Sequence, residues 1–268
     1  MLEYLHRHNL ITSQQHGFLS KHSTCTQLLE CVNDWSLALR NHHVTDVVYF
    51  DFAKAFDTVS HTKLILKLSG YGICGPLLDL LTNFLSGRSQ RVVLPCGSSG
   101  FNAVISGVPQ GSVLGPLLFL LFINDNTDCF INNVAIKLFA DDVKVYMEIV
   151  NQSDTAIFQN SIDCISNWAS TWQLCLAPNK CMHMRVSLNK PADCNVQYLL
   201  NGNVLSCVAQ CRDLGVQISS HLSFNDHIYS IVSKAHIRAS QILRCFVSRD
   251  PATLIFAFNT LCSSFSGI

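Results

Sequence analysis

The sequence has few charged residues and no excess of either sign. Asp, Glu, Lys and Arg make up 13% of the 268 residues, and 18 basic side chains balance 18 acidic ones. A nucleic-acid-binding domain typically carries a clear excess of positive charge. The balance therefore counts against nucleic-acid binding unless the basic groups are local or belong to a part missing from this chain. The low charge and the 49% hydrophobic content predict a packed core rather than disorder.

Paired cysteine motifs are also missing. Thirteen cysteines are scattered singly, without a Cys-x-x-Cys pair or a Cys/His set at zinc-site spacing. No signal peptide is recognisable, so we expect an intracellular protein, in the nucleus or the cytoplasm and not secreted. In such a compartment the cysteines are expected to be reduced thiols packed in a core.

Long hydrophobic runs are absent as well. The most apolar stretch, Val113–Ile123, is short and is interrupted by Gly115 and Pro116. A helix that crosses a bilayer needs about 20 apolar residues. We therefore expect no membrane association, and the length suits one large domain or two small ones.

The sequence does contain two adjacent aspartates, Asp141 and Asp142, between two apolar runs. Val134–Ile136 before them and Val143–Tyr146 after them are rich in β-branched and aromatic residues, which predicts two strands. Ala140–Asp142 is then a tight hairpin turn. Adjacent carboxylates repel each other, and Mg²⁺, which prefers carboxylate oxygens, relieves that repulsion. An ordinary Asp-rich turn is the alternative interpretation.

A third carboxylate, Asp51, lies in a near-continuous apolar run, Asp46–Phe52, that is typical of a central buried strand. If this strand and the hairpin share a sheet, the three carboxylates can converge on two divalent ions. Two ions about 3.5–4 Å apart can clamp the attacking and leaving oxygens of a phosphoryl displacement. The spacing alone fits many sheet proteins.

Local patterns predict the other elements. The predicted helices are one capped by Ser23 or Thr24, then Pro76–Ser86, the apolar helix after Ser112, Thr155–Gln173 and Asp226–Val247. The predicted strands are Arg91–Leu94, Phe101–Ile105, Asn179–Val186, and short ones around Tyr198–Leu200 and Leu214–Val216. The helix Thr155–Gln173 is expected to bury Ile157, Ile162, Ile165, Trp168 and Trp172.

Three stretches carry more information than these patterns. They are DFAKAFDTVSH at Asp51–His61, GVPQGSVLGPLLF at Gly107–Phe119 and FADD at Phe139–Asp142. They resemble successive palm motifs of non-LTR retrotransposon reverse transcriptases, in the style of jockey-like elements. Gln15–Phe18 is similar to the family's fingers segment, Leu176–Cys181 to its next palm motif and Asp213–Val216 to the start of its primer-grip region. The pieces follow in the family's order from about Leu10 to Asp250.

The resemblance implies an α+β fold, the right-hand palm of polymerases, in which helices pack on an antiparallel sheet. It implies partial fingers at 1–45, the palm at 46–190, and a primer-grip region with a truncated thumb at 191–268. The implied function is RNA-directed DNA synthesis, with an RNA template, a DNA primer and deoxynucleoside triphosphates as partners. Two Mg²⁺ ions are the implied cofactors, with Mn²⁺ as an alternative.

The resemblance also implies roles for single residues. Asp51, Asp141 and Asp142 match the catalytic, metal-binding aspartates. The matching nucleotide-binding residues are Phe52 through its carbonyl, Phe56 as a steric gate against a 2′-hydroxyl, Gln110, Gly111, and Lys180 near the triphosphate. Leu214, Gly215 and Val216 match the primer grip. We interpret Asp57 as structural.

The sequence departs from the family pattern at its ends. The basic upstream fingers, the endonuclease and a completed thumb are not recognised, so a truncated core with weak activity is expected. Two other interpretations stay open. One is an inactive retroelement remnant that at most binds nucleic acid. The other is an RNA-dependent RNA polymerase palm, which Phe56 disfavours because a ribonucleotide needs room for its 2′-hydroxyl.

Overall fold

The computed structural model describes residues 1–130, 133–188, 196–246 and 250–262, with the side chains of 261 and 262 left aside. The helices are α1 (Leu2–Arg7), α2 (Thr24–Arg40), α3 (Ala55–Thr58), α4 (His61–Gly70), α5 (Gly75–Leu85), α6 (Leu114–Ile123), α7 (Gln152–Trp172), α8 (Asn225–Cys245) and α9 (Pro251–Cys262), and a 3₁₀ helix spans Asn124–Cys129. The strands are β1 (Val44–Phe50), β2 (Ser89–Gln90), β3 (Val93–Leu94), β4 (Gly97–Ser98), β5 (Asn102–Ala103), β6 (Val134–Phe139), β7 (Asp142–Ile149), β8 (Met182–Val186), β9 (Leu199–Leu200), β10 (Asn203–Val204), β11 (Ser206–Cys207), β12 (Gln210–Asp213) and β13 (Val216–Ser219).

The central sheet has five strands in the order β11-β8-β1-β7-β6. Strand β1 pairs antiparallel with β7 and β8, β6 pairs antiparallel with β7, and β11 runs parallel to β8. The near-continuous apolar run therefore forms the middle strand, as the sequence predicts. Helices and this largely antiparallel sheet together confirm the α+β class.

Both faces of the sheet are covered, so β1 contributes to two hydrophobic cores. Val48 and Phe50 lie in a core with side chains of α4, α6 and α7. Val47 points to the opposite face, where α2 and the β12–β13 hairpin close a second core. This alternation follows from the two-residue period of a strand. The continuous hydrophobicity of β1 is explained by burial on both faces.

Local signals set several helix ends where the sequence predicts them. The Ser23 hydroxyl accepts a hydrogen bond from the Thr26 N–H at 3.1 Å, and the Ser23 N–H donates to the Thr26 hydroxyl at 2.9 Å. This capping box confirms Ser23 as the N-cap of α2. Helix α5 begins at Gly75, directly before Pro76, and ends one residue before the predicted end.

Other predicted elements need correction. Arg91–Leu94 and Phe101–Ile105 are not two continuous strands, because an exposed hairpin of two-residue pairs replaces them. Ile157 of α7 is 42% exposed instead of buried. Helix α8 ends at Cys245, and the predicted end at Val247 lies outside the described residues. Along α8, Ile242 is buried, whereas Ile228 and Val232 are exposed to solvent.

The cysteines also differ from the expectation of core thiols. Cys207 is disulfide-bonded. Five of the free cysteines in the described residues are exposed, namely Cys25, Cys74, Cys96, Cys175 and Cys245. Of the helices that the structure describes, none combines the length and apolar character that crossing a membrane requires.

Candidate active site

Asp51 follows the last residue of β1 and is held there by a second segment of backbone. The Ala177 N–H donates to the Asp51 carbonyl, and the Ala53 N–H donates to the Cys175 carbonyl, both at 2.8 Å. These bonds flank a bridge between Phe52 and Leu176 and do not use the Phe52 carbonyl. These two bonds therefore fix the backbone that carries Asp51, and they leave the carbonyl of the adjacent Phe52 unused.

Asp141 and Asp142 lie at the tip of the β6–β7 hairpin. Phe139 pairs with Asp142, so the loop is the two residues Ala140 and Asp141, and Asp142 is the first residue of β7 rather than part of the turn. Ala140 has a φ of 55°, in the left-handed region that non-glycine residues rarely occupy. A tight turn of this kind gives the two carboxylates little freedom.

The sheet brings these carboxylates to the same end as Asp51. Phe50 pairs with Val143 across β1 and β7, so Asp51 follows at the end where β7 begins. Burial and the nearby charge of Asp51 raise the pKa of Asp141. Burial, together with the charges of Asp141, Asp213 and Asp51, raises the pKa of Asp142 to about 6. The three carboxylates repel one another, as a cation site requires.

The donor set fits a hard divalent cation, which the family resemblance implies here. Asp51 and Asp141 offer oxygen ligands, and their mutual repulsion favours a positive charge between them. Among the described residues, no three Asp, Glu, His or Cys side chains are grouped closely enough to hold one ion. Mg²⁺ usually takes one or two carboxylates and completes its sphere with water and substrate phosphates. A site of this openness therefore suits Mg²⁺ together with a nucleotide.

Lys180 lies in the loop before β8 and forms an ion pair with Asp51. Its Nζ is 3.2 Å from Asp51 Oδ1, and both side chains are largely open to solvent. An exposed pair of this kind is weak. Lys180 can therefore exchange Asp51 for a phosphate oxygen without a large loss.

The two phenylalanines near Asp51 have different surroundings. Phe52 is 5% exposed and packs edge-on against Trp168, so its side chain belongs to the core. Phe56, in α3, is half-buried and stacks on the buried Phe119, with ring centroids 4.0 Å apart. The exposed Phe18 lies edge-on to Phe56. Phe56 is thus a supported ring with an accessible edge, as a gate against a sugar hydroxyl requires.

Gln110 lines an exposed pocket, and Gly111 is the next residue along the chain. The Gln110 Nε2 donates to Asp57 Oδ1 at 2.9 Å, which gives Asp57 the structural role that the sequence suggests. Lys54 and Arg88 line the same pocket of about 710 Å³. Gly111 has a φ of 77° and open space around it, so its conformation, rather than a close backbone approach, explains the glycine.

The predicted primer-grip residues form a turn rather than a strand. Leu214 (φ 45°) and Gly215 (φ 92°) connect β12 and β13, and Val216 begins β13. Leu214 and Gly215 line a cleft of about 390 Å³ that Asp51, Asp142 and Lys180 also line. The fold therefore unites residues more than 160 positions apart around one opening.

Lys144 and Asp213 also line this cleft. The sequence indicated Asp213 only as the start of the primer-grip region, and it did not indicate Lys144. They form an ion pair with side chains 2% and 4% exposed, between β7 and the end of β12. Lys144 follows Asp142 by two residues and so shares its face of β7. The signal in the sequence was Lys144 itself, a lysine between Val143 and Val145 in an apolar run. A lysine buried in a strand needs a charged partner, so this pattern indicates an ion pair.

Comparison with known proteins gives similarities in sequence to one family and to several individual proteins. The profile of the family described as reverse transcriptase (RNA-dependent DNA polymerase) matches residues 1–218. The RNA-directed DNA polymerase from mobile element jockey of Drosophila funebris is 29% identical over 272 residues, covering 95% of this chain and 29% of that protein. The probable RNA-directed DNA polymerase from transposon X-element of Drosophila melanogaster is 29% identical over 244 residues, covering 90% and 26%. The chain spans just over a quarter of these relatives.

Solved structures of telomerase resemble the fold. Telomerase from Candida tropicalis in complex with the TWJ fragment of telomeric RNA has a TM-score of 0.56 and 11% identity, covering 98% of this chain and 44% of that chain. Apo telomerase from Candida tropicalis, truncated from its C-terminal domain, has a TM-score of 0.54 and 12% identity, covering 84% and 42%. At this identity the likeness concerns the fold alone, and it agrees with the palm predicted from the sequence.

Proposed function

Because this chain belongs to the reverse transcriptase family, the RNA-dependent DNA polymerases, we propose that it is the catalytic core of an RNA-directed DNA polymerase from a non-LTR retrotransposon. The observation that carries the proposal is that Asp51, Asp141 and Asp142 lie at one end of the central sheet, where burial and the neighbouring carboxylates raise the pKa of the hairpin carboxylates. The proposed division is partial fingers at 1–45, palm at 46–190, and primer grip with partial thumb at 191–268. The boundary at 190–191 lies outside the described residues.

The proposed reaction joins a primer to a deoxynucleoside triphosphate. The primer 3′-oxygen attacks the α-phosphorus, a new P–O bond forms, pyrophosphate leaves, and the 3′-hydroxyl loses its proton. Members of this family use divalent metal ions, and two Mg²⁺, or Mn²⁺ as an alternative, bound by Asp51 and Asp141 with Asp142 beside them, would neutralise charge on the reacting oxygens. The available carbonyl of Phe52 is a further oxygen ligand in this proposal.

The other cleft residues act on the substrates. Lys180, released from Asp51, binds the triphosphate and donates a proton to the leaving pyrophosphate. Gln110 and Gly111 lie beside the incoming nucleotide and the template. Leu214, Gly215 and Val216 contact the primer backbone, which the shared cleft with Asp51 supports.

Primer extension tests the proposal directly. The chain is mixed with an RNA template, an annealed DNA primer, deoxynucleoside triphosphates and Mg²⁺ or Mn²⁺. We expect extension that requires the RNA template, is lost in Asp51→Asn and is kept in Asp79→Asn, a matched change at an exposed aspartate of α5. A folded chain that binds template and primer but extends with neither metal would support the inactive remnant instead.

Phe56 should determine the choice of sugar. In Phe56→Ala we expect the preference for deoxynucleotides over ribonucleotides to fall by about tenfold to a hundredfold, because the ring that crowds a 2′-hydroxyl is gone. The measurement is the ratio of kcat/KM for the two nucleotides, which is insensitive to a general loss of activity. The exposed Phe256 supplies the control, Phe256→Ala. An unchanged ratio in an active Phe56→Ala enzyme would exclude the gate.

A further inference from the structure

The segment Gln14–Gly17 runs beside β6 and covers the outer edge of the central sheet. Gln15 forms a parallel bridge with Leu138. The His16 N–H donates to the Leu138 carbonyl at 2.8 Å, and the Leu138 N–H donates to the Gln14 carbonyl at 3.0 Å. These bonds place Gln15 next to the Ala140–Asp141 turn.

The side chain of Gln15 is 1% exposed and binds that turn. Its Oε1 accepts hydrogen bonds from the Ala140 N–H at 3.0 Å and from the Gly17 N–H at 2.7 Å. Both partners are donors, so they determine which end of the amide is oxygen. The Nε2 atom is buried without a hydrogen-bond partner in the described residues. A buried polar group left unpaired is unfavourable. Packing alone therefore does not explain why an amide side chain occupies this position.

Gly17 contributes by its small size. A Cβ atom on Gly17 would lie 2.4 Å from the Ala140 nitrogen, closer than any side chain can approach. The backbone of Gly17 therefore rests directly against the turn. Gln15 and Gly17 thus contact the same residue, one through a hydrogen bond and the other through close packing.

The turn needs such support because Ala140 has a left-handed backbone, which is strained for a residue with a side chain. Asp141 is the next residue, so a turn that relaxed this strain would also move the Asp141 carboxylate.

We propose that Gln15 and Gly17 form a clamp, the turn clamp, that holds the Ala140–Asp141 backbone in its strained conformation. They are positioning residues, because they act through Asp141 and do not touch a substrate. The effect on nucleotidyl transfer rests on the function proposed above, whereas the restraint on the turn is a property of the backbone.

Four variants separate the clamp from ordinary packing. Gln15→Met keeps the length of the side chain but cannot accept a hydrogen bond. Gln15→Asn keeps the amide but is one methylene too short to reach Ala140. Gln15→Glu keeps the acceptor. Gln14→Met is the matched control, because the Gln14 side chain contacts Ser13 and not the turn.

The first measurement is amide hydrogen exchange, residue by residue, in metal-free buffer. We expect the Ala140 amide to exchange about tenfold faster or more in Gln15→Met and Gln15→Asn, because it loses its acceptor. Exchange should be slow again in Gln15→Glu and unchanged in Gln14→Met. If Gln15→Met does not fold, Gln15→Asn decides. Unchanged protection of Ala140 in a folded Gln15→Met or Gln15→Asn variant would overturn the clamp.

The second measurement is primer extension. We expect kcat to fall by about 10- to 100-fold in Gln15→Met, as for other residues that orient a metal ligand. The Kd for template and primer should change less than about twofold, and half-maximal activity should need more Mg²⁺. Unchanged kcat and Mg²⁺ dependence despite faster Ala140 exchange would overturn the catalytic part. If the unaltered chain does not extend a primer, the proposed function fails, and amide exchange still decides the clamp.

Discussion

Asp141→Asn should reduce primer extension by at least about a thousandfold while the protein stays folded. Asn has the size of Asp but no negative charge, so it cannot neutralise a cation at the hairpin tip. The Asp141 side chain is half-buried and lies outside the hydrophobic cores, so the thermal midpoint should not fall. The measurements are single-turnover extension and thermal melting, with Asp79→Asn as the control. Loss of folding in Asp141→Asn would indicate a structural role instead.

At Asp142 we expect the stability of the protein to depend on pH. Its pKa of about 6 in the folded chain exceeds the ordinary 3.8, so the folded state binds the proton more tightly than the unfolded state. Stability from this group therefore falls as pH rises from about 4 to above 6. In EDTA at pH 8, Asp142→Asn should be more stable than the unaltered chain by about 1 kcal/mol, a value reduced for solvent screening. At pH 5 the difference in stability should shrink, and an equal difference at both pH values would contradict the raised pKa of Asp142.

Asp46→Asn should destabilise the fold by about 3–5 kcal/mol, because it removes one partner of a buried ion pair. Asp46 is fully buried in β1 and accepts hydrogen bonds from Arg185 Nε (2.7 Å) and NH2 (2.6 Å) and from the Tyr198 hydroxyl (2.6 Å). His183 Nε2 lies 3.0 Å from the same carboxylate. Asn would leave Arg185 without its counter-charge and would present an amide N–H to donors. Urea unfolding measures the change, and Asp79→Asn should shift the free energy of unfolding by less than about 0.5 kcal/mol.

The pKa of Asp46 predicts when its contribution disappears. Burial alone would raise this pKa, but the hydrogen bonds from Arg185 and His183 outweigh burial and lower it from 3.8 to about 2. A depressed carboxyl pKa stabilises the folded state above about pH 4, and the gain of about 2.5 kcal/mol is lost as pH falls to about 2. The deficit of Asp46→Asn should narrow over that range. A deficit that does not change with pH would contradict an ionised Asp46.

The sequence predicted those parts of the fold that depend on local chemistry. Ser23 starts α2 because its capping partner Thr26 is three residues away. The apolar run of β1 marks a strand buried on both faces. The exposed hairpin at 89–103 was misjudged because its short apolar pieces are rich in the β-branched residues typical of strands but have no core to pack against.

In the candidate site, too, the sequence indicated some of the residues but not the contacts between distant parts of the chain. The resemblance indicated Asp51, Asp141 and Asp142, and the pairing of β1 with β7 brings them together. The sequence did not indicate that Lys144 pairs with Asp213, because 69 positions separate the two residues and the contact depends on the tertiary arrangement. The hydrogen bond from Ala140 to Gln15 spans 125 positions and was missed for the same reason.

The Lys144–Asp213 pair limits how the protein can be dissected. A fragment that ends near residue 188 would keep the whole carboxylate end of β1 and β7 but would lose Asp213. Lys144 would then be a buried cation without its counter-charge, and β8 would lose its parallel partner β11. Such a fragment should be soluble only if water reaches the Lys144 side chain in the cleft and hydrates its charge. Strands β1 and β7 and the turn between β12 and β13 are thus best expressed, exchanged between relatives and mutated as one unit.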